Sequence, residues 1–190
     1  AQTPGFSGHV SDLGGPTANM YRMRCTKPEA EAVCRRLSCV HPTVCKLLGT
    51  SHEPTKALMR EARAVPGVVK VHIASGIRMD LARKDPEYLD ELAAHHVGGH
   101  LKVAPEHVSE RVLARMKKPG IEAFEEFAER FEAASRRAGK KQFLVPYFIA
   151  SHPGSSLDSM ISLALFLKRN GYQPDQVQDF IPAPMDVATA

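Results

Sequence analysis

The sequence contains no run of apolar residues approaching the roughly 20 that a membrane-spanning helix needs. Its amino terminus also lacks the basic and then apolar segment of a secretory signal. These two absences predict a cytoplasmic protein with no membrane partner. The chain begins without Met and runs almost at once into a predicted strand, so we expect it to be an excerpt from a larger protein.

Low hydrophobicity, the mark of disordered chains, is also absent, since 43% of the 190 residues are hydrophobic. That content is enough for one sizeable core, and we predict a single domain over residues 1–190. The 25 basic and 21 acidic residues leave a net charge of +4, a weak bias that would help anionic ligands approach. A charge this small does not by itself indicate nucleic acid, which stays an open but unsupported partner.

Five short β-branched or apolar runs each end abruptly in glycine, proline and a polar or charged residue. They lie at residues 8–15, 69–76, 101–106, 143–154 and 177–182. In parallel α/β folds the carboxyl ends of the strands face the site where chemistry happens. Polar groups gathered at these strand ends therefore predict a catalytic face, and the chain reads as part of an enzyme.

Amphipathic helical patterns separate the predicted strands. They begin at Glu53-Pro54, Asp85-Pro86, Ile121 and near Ser156, and the third ends at Gly139. The positions expected to face inward are Leu58, Ala62 and Val65; Leu89, Leu92, Ala93 and His96; Phe124, Phe127, Phe131, Ala134 and Ala138; and Leu157, Met160, Ile161, Ala164 and Leu167.

Alternating strands and helices with right-handed crossovers predict a parallel sheet, either doubly wound or of the TIM-barrel type. A doubly wound nucleotide-binding fold usually has a G-x-G-x-x-G turn after its first strand, and Gly14-Gly15-Pro16 is not that turn. We therefore favour a partial, open TIM-type barrel of parallel βα units. Five strands cannot close a barrel, so partner strands lie outside the chain or two edge strands are exposed.

One interval between strands is unusually long. The first two strands start about 60 residues apart, whereas the later intervals are about 30 to 45, close to an ordinary βα repeat. An insertion over residues 16–52 explains the difference. Every cysteine of the chain lies in it.

The four cysteines are Cys25, Cys34, Cys39 and Cys45, separated by eight, four and five residues. A cytosolic chain rarely uses disulfides, and four thiolates complete a tetrahedral zinc or iron–sulfur site. We therefore predict a metal site at these residues. The gaps are wider than the two-residue spacings of zinc ribbons, which leaves open whether zinc or an iron–sulfur cluster is bound.

An alternative interpretation concerns Cys34. Residues 28–37 have the pattern of a short helix whose apolar stripe contains Val33, Cys34 and Leu37, so Cys34 could be a buried small hydrophobe. His41 and His52 are candidate substitute ligands. The nearby Arg24, Arg35 and Arg36 would favour thiolates or an anionic cluster electrostatically.

Five segments have a characteristic order and spacing along the chain. They run from Asp12 to Tyr21 (DLGGPTANMY), Arg35 to Cys39 (RRLSC), His95 to Gly99 (HHVGG), Lys102 to His107 (KVAPEH) and Asp175 to Gln178 (DQVQ). Together they resemble the YgiQ-like radical SAM proteins over essentially the whole chain. The cysteine positions of that family's insertion are matched by all four cysteines here.

The resemblance implies a partial TIM barrel of the radical SAM type. Such enzymes bind a 4Fe-4S cluster through a CxxxCxxC motif, and S-adenosyl-L-methionine occupies its open iron. Reductive cleavage then gives methionine and a 5′-deoxyadenosyl radical, which abstracts hydrogen from a substrate. No CxxxCxxC occurs in this sequence. We therefore expect the cluster ligands to lie outside it, and the chain alone to be inactive until the remainder of a parent chain completes the barrel.

The resemblance also implies roles for residues at the first two strand ends. Gly14 and Gly15 match the glycine pair that holds the methionine amino group, because glycine lets backbone carbonyls approach a ligand closely. The third position, often acidic in relatives, is Pro16 here, and a tight turn is the alternative reading. After the second strand, Ser75 and Arg78 are candidates to hold the methionine carboxylate, although Arg78 could instead pair with Asp80.

Residues of the later strands complete the candidate site. Lys102 lies inside an apolar strand and must face solvent or a polar site, and Glu106 ends the same strand. We treat both as candidate cofactor-binding residues. His107 and His152 also sit at strand ends, where they could serve in substrate proton transfer or make capping hydrogen bonds.

Two other functions remain open at the level of sequence. One is a zinc-stabilised α/β module that binds RNA or protein through basic residues around the cysteines, although stacking aromatics are scarce there. The other is a TIM-barrel enzyme that uses no S-adenosylmethionine, because this fold hosts many chemistries. No motif in the sequence identifies a substrate.

Overall fold

The computed structural model describes residues 3–15, 17–174 and 177–183. Within these ranges strands and helices alternate as the sequence predicts. In chain order they are β1 (His9–Val10), α1 (Pro28–Val33), α2 (Glu53–Ala64), β2 (Lys70–Val71), α3 (Met79–Ala82), α4 (Pro86–Glu91), β3 (His100–Glu106), α5 (Glu110–Arg115), α6 (Glu122–Arg137), β4 (Phe143–Ala150), α7 (Leu157–Asn170) and β5 (Val177–Asp179). A 3₁₀ turn at Ala18–Met20 precedes α1, and a π-helical stretch at Leu92–His96 continues α4.

The strands form two parallel sheets. β1 pairs with β2, and β4 lies between β3 and β5. The α/β class and the parallel pairing are therefore confirmed. The described residues form no closed barrel, and their sheets are short.

The expected single sheet is interrupted between β2 and β3, which is a correction to the sequence analysis. The π-helical stretch occupies the place of the missing pairing. Ile73 N–H, just after β2, donates to His96 O at 3.0 Å, and His96 Nδ1–H donates to Val71 O at 2.8 Å. Because these groups satisfy the backbone of β2, that strand does not pair with β3 in the described residues.

One hydrophobic core joins the two sheets. It contains residues near β2 such as Ile73, residues of β3 such as Leu101, and the phenylalanines of α6. The predicted apolar stripe of α6 is confirmed, since Phe124, Phe127 and Phe131 are fully buried. Gly139 follows α6 with φ +66°, a conformation that favours glycine at a helix end.

The inward faces predicted for α4 and α2 differ in how well they match the structure. All four inward positions predicted in and after α4, including His96, are buried. In α2, Val65 is exposed and the polar Thr55 and Lys56 are buried instead. Lys56 is tolerated there because its ammonium reaches Glu53 at 2.5 Å and Glu87 at 2.9 Å.

The inward face predicted for α7 is wrong. Leu157 is 77% exposed and Ile161 is also exposed, whereas Ser159 and Leu163 are buried. The cap explains the difference, because Ser156 Oγ accepts from Ser159 N and Ser159 Oγ accepts from Ser156 N. This reciprocal pair fixes Ser159 inward.

The helix predicted over residues 28–37 is shorter than expected. α1 ends at Val33, and Leu37 is 96% exposed. Cys34, at the end of α1, is exposed as well. The reading of Cys34 as a buried hydrophobe is therefore wrong.

None of the helices in the described part of the chain combines the length and apolar character needed to cross a membrane. The domain boundaries, 1–190 with an insertion at 16–52, stay predictions.

Candidate functional site

The loops that follow β1 and β2 are joined by side-chain hydrogen bonds. The Asp12 carboxylate accepts from Ala74 N at 2.8 Å and from Ser75 N at 3.2 Å. Ser75 Oγ–H donates to Gly15 O at 3.0 Å. The first two strand ends, which the sequence predicts to converge, therefore form one rim.

The charge on Asp12 maintains this rim. Partial burial would raise the pKa of Asp12, but hydrogen bonds, first among them the one from the Ala74 amide, outweigh it and lower the pKa below its usual value. The group is thus held as a carboxylate, the form that accepts both amides.

The two predicted glycines have different environments. A Cβ added to Gly14 would lie 2.4 Å from the Ala18 Cβ, so this position is closed by packing. A Cβ at Gly15 would meet nothing within 4 Å. Gly15 therefore borders open space that a ligand can enter. Pro16 lies outside the described residues.

The two predicted cations at this rim also differ. Arg78 is largely buried, and its Nε lies 2.9 Å from Asp80 Oδ1, which is the alternative raised from the sequence. Lys102 is exposed on β3 and makes no ion pair with any described residue. Its backbone borders Gly76 of the second rim loop, since a Cβ there would lie 3.8 Å from Lys102 O. Lys102 is therefore the better placed of the two to receive an anionic group.

Glu106 is already engaged. It lies at the irregular end of β3 with φ +68°, and its carboxylate is 2.9 Å from Lys118 Nζ. Any direct ligand contact by Glu106 must compete with this pair.

A buried cluster that the sequence analysis missed fixes the position of Arg78. Asn19 Oδ1 accepts from Arg78 N at 2.6 Å, and Asn19 Nδ2 donates to Arg78 O at 3.0 Å. The same Nδ2 lies 3.2 Å from His52 Nε2, and His52 Nδ1 lies 3.2 Å from Asp85 Oδ2. We call Asn19, His52 and Asp85 the clasp.

The clasp closes the base of the cysteine-bearing insertion, because Asn19 precedes all four cysteines and His52 follows them. His52 is buried, its Nε2 is the partner of Asn19 Nδ2 and its Nδ1 lies 3.2 Å from Asp85 Oδ2, and it belongs to no group of described side chains that could hold the metal ion considered above. Burial lowers the pKa of His52, and Asp85 opposes this shift. No motif in the sequence identifies Asn19 or Asp85 as partners of His52.

The insertion has an ordered backbone between these two ends. Cys25 forms an antiparallel bridge with Leu48, and Cys45 N–H donates to Cys39 O at 2.7 Å. Arg36 ties the intervening loop together, with Nε donating to Ser38 O at 2.6 Å. Three of the four cysteines thus belong to one hydrogen-bonded unit.

The thiols are nonetheless not assembled into a metal site. All four are free, and Cys34 and Cys39 are exposed. No group of three or more Cys, His, Asp or Glu side chains in the described ranges could hold a metal ion. As placed, these residues do not fit the predicted zinc or iron–sulfur centre.

His107 and His152 follow β3 and β4. His107 is fully buried, and its Nδ1 accepts from Val108 N and Ser109 N, both at 2.9 Å. Nε2 must therefore carry the ring proton. His152 Nδ1–H donates to Pro153 O at 3.0 Å, and its ring packs edge-on against Phe180. His107 thus orders the turn that precedes α5 rather than capping the helix itself, and a role of either histidine in proton transfer stays a prediction.

A cavity of about 860 Å³ lies away from the strand ends just described. Its lining includes His100 and Phe143, the first residues of β3 and β4, together with Phe166 and Tyr172. It is open at the amino ends of these strands. The predicted ligand-binding residues do not line it.

Comparison with known proteins places the chain in a family. It is 57% identical over 188 residues to the UPF0313 protein of Chromobacterium violaceum and 54% identical over 186 residues to the UPF0313 protein YgiQ of Escherichia coli K12. These alignments cover 99% and 98% of the chain. The chain belongs to the YgiQ-like family. No protein-family model matches it.

This YgiQ-like chain spans about a quarter of the length of these relatives, since the alignments cover 25% of each of the two proteins. Their names state no reaction or ligand. Family membership thus confirms the resemblance to YgiQ-like proteins, while the radical SAM assignment and the activity, substrates and partners of the whole protein are matters for proposal.

Proposed function

We propose that this YgiQ-like chain forms part of a radical SAM enzyme, with S-adenosylmethionine held at the carboxyl ends of β1, β2 and β3. One observation carries the proposal. Asp12 and Ser75 join two successive strand ends into a rim that has open space at Gly15, and the backbone of Lys102, a lysine without an ion pair in the described part of the chain, borders this rim at Gly76. Radical SAM enzymes require such a gathering of strand ends, and an open TIM-type barrel would supply it.

The rim has groups suited to the amino-acid part of S-adenosylmethionine. The open space beside Gly15 would let the ammonium group approach backbone carbonyl oxygens there, as the resemblance implies. The Lys102 ammonium would bind the carboxylate. This assignment favours Lys102 over Arg78, because Arg78 would first have to leave Asp80. Ser75 then acts through Gly15, whose carbonyl it orients.

The 4Fe-4S cluster supplies reductive cleavage of S-adenosylmethionine in this class of enzyme. No three of the described thiols, imidazoles and carboxylates form a set that fits a metal centre, so its CxxxCxxC ligands are proposed to lie outside the chain. The proposed function makes no use of an auxiliary metal at the four cysteines. The alternative function is a zinc-stabilised module that binds RNA or protein. The described residues contain no group of side chains that could hold its zinc ion.

Lys102→Ala is expected to raise the Kd for S-adenosylmethionine at least about tenfold, because a charged hydrogen bond to the carboxylate is lost. Equilibrium dialysis with the full-length, anaerobically reconstituted protein measures this change. Lys70→Ala is the matched control, since Lys70 is also an exposed lysine in a strand but lies on β2. Equal affinities for wild type and Lys102→Ala would refute the assignment of Lys102.

A further inference from the structure

His107 presents a buried hydrogen-bond donor without an acceptor. Its Nδ1 is committed to two backbone amides, which places the proton on Nε2. Nε2 is buried and has no hydrogen-bond partner. Buried donors are nearly always paired in native proteins, so this N–H calls for an acceptor that binds from outside the described chain.

The surroundings of His107 place it beside the loop that leads from β4 into α7. Arg111, four residues after His107, donates from Nη2 to Gly154 O at 2.8 Å. The side chain of Arg115 lies against the same glycine, since a Cβ at Gly154 would be 2.6 Å from Arg115 Cδ. His152 lies in the same loop, and its ring packs edge-on against Phe180. The two strand ends therefore share one local environment.

A second donor without a partner lies in this loop. Ser155 Oγ is buried and makes no hydrogen bond, while Ser155 N–H donates to His152 O at 2.8 Å. Two orphaned donors, on separate strand ends, thus lie in the same part of the molecule. Each would lose free energy if left unpaired, so each requires an acceptor.

The charge in this region favours an anion. The loop leads into the amino end of α7, a helix of 14 residues, where the helix dipole is positive. Arg111 and Arg115 add positive charge nearby. Glu106 is neutralised by Lys118, and Asp158, the acid in the first turn of α7, is exposed to solvent.

We propose that the ends of β3 and β4 form an oxyanion-binding site, in which His107 Nε2–H and Ser155 Oγ–H donate to oxygens of a bound carboxylate or phosphate. No described residue supplies that acceptor. The site takes a separate anion, because the carboxylate of S-adenosylmethionine is proposed above to bind Lys102; a response of His107 to S-adenosylmethionine would reassign that carboxylate to this site. It does not require the radical chemistry proposed above, so each proposal can fail alone.

The test is a nitrogen–proton NMR titration of the full-length protein labelled with ¹⁵N-histidine. Inorganic phosphate, acetate and S-adenosylmethionine are added separately, and sodium chloride at matched ionic strength is the control. We expect the His107 Nε2–H resonance to move saturably with at least one of these anions and to stay fixed in chloride. The anion that shifts the His107 resonance identifies the class of ligand that the site binds.

Two variants separate binding from folding. His107→Asn keeps an acceptor near the position of Nδ1 for the two backbone amides but removes the Nε2–H donor. Its circular dichroism should match the wild type, and its Kd for the responsive anion should rise at least about tenfold. Ser155→Ala should weaken binding in the same direction while leaving His107 intact.

Three results would overturn the site: no probe moves the His107 resonance, chloride moves it equally, or both variants keep wild-type affinity. Because the readout needs neither iron nor turnover, these results do not bear on the proposed radical SAM function.

Discussion

Replacing Gly14 with alanine is expected to destabilise the folded protein by about 3 kcal/mol, from overpacking and an unfavourable backbone conformation together. The new Cβ would lie 2.4 Å from the Ala18 Cβ and 3.2 Å from its Cα. Gly14 also has φ +152°, which side chains rarely adopt. Relief would require moving the 3₁₀ turn that carries Asn19. Urea unfolding of the protein without ligand measures the loss.

Gly15→Ala is the matched control, because a Cβ there meets nothing within 4 Å. It should change the free energy of unfolding by no more than about 0.5 kcal/mol. Its effect should appear instead in weaker binding of S-adenosylmethionine, since the methyl group enters the space proposed for the ligand. Equal stability losses in the two variants would contradict the packing described at Gly14.

Replacing Asn19, the central residue of the clasp, should destabilise the folded protein about as much as Gly14→Ala does. Asn19→Ala leaves the Arg78 amide, the Arg78 carbonyl and His52 Nε2 without their partner. Each buried group left unsatisfied costs about 1–3 kcal/mol, so we expect a total loss of about 3–5 kcal/mol. Urea unfolding gives the size of the loss. Faster proteolysis between residues 20 and 51 would show that the insertion has been released.

Asn170→Ala tests whether the effect belongs to the clasp. Asn170 is exposed and makes one hydrogen bond, from Nδ2 to Phe166 O at 2.9 Å. Its loss should cost no more than about 0.5 kcal/mol. If Asn19→Ala were as stable as Asn170→Ala, the clasp would not hold Arg78 or the base of the insertion.

The sequence was most informative where one physical pattern dominated. The stripe of phenylalanines in α6 has a clear helical period, and these residues are buried as expected. The strand ends are recognisable because glycine, proline and polar residues stop each apolar run. In α7 the apolar residues lie on several sides, so the pattern could not select the face that Ser159 and Leu163 bury.

Contacts between residues far apart in sequence are the part of the candidate site that the sequence could not predict. Asn19 and His52 are 33 residues apart, and neither has a local motif that identifies its partner. The pairing of Arg78 with Asp80 could be anticipated because the two are neighbours in sequence. The number of cysteines and their clustering in one insertion suggested a four-thiol centre, but the described fold leaves Cys34 and Cys39 exposed and assembles no ligand set.

The most direct test of the proposed strand-end site is product analysis with the full-length protein. The protein is reconstituted anaerobically with iron and sulfide, mixed with S-adenosylmethionine and dithionite, and assayed by chromatography. We predict formation of 5′-deoxyadenosine and methionine in equal amounts, with little product when the protein is left unreconstituted. A reconstituted protein that holds iron yet neither binds nor cleaves S-adenosylmethionine would contradict the account.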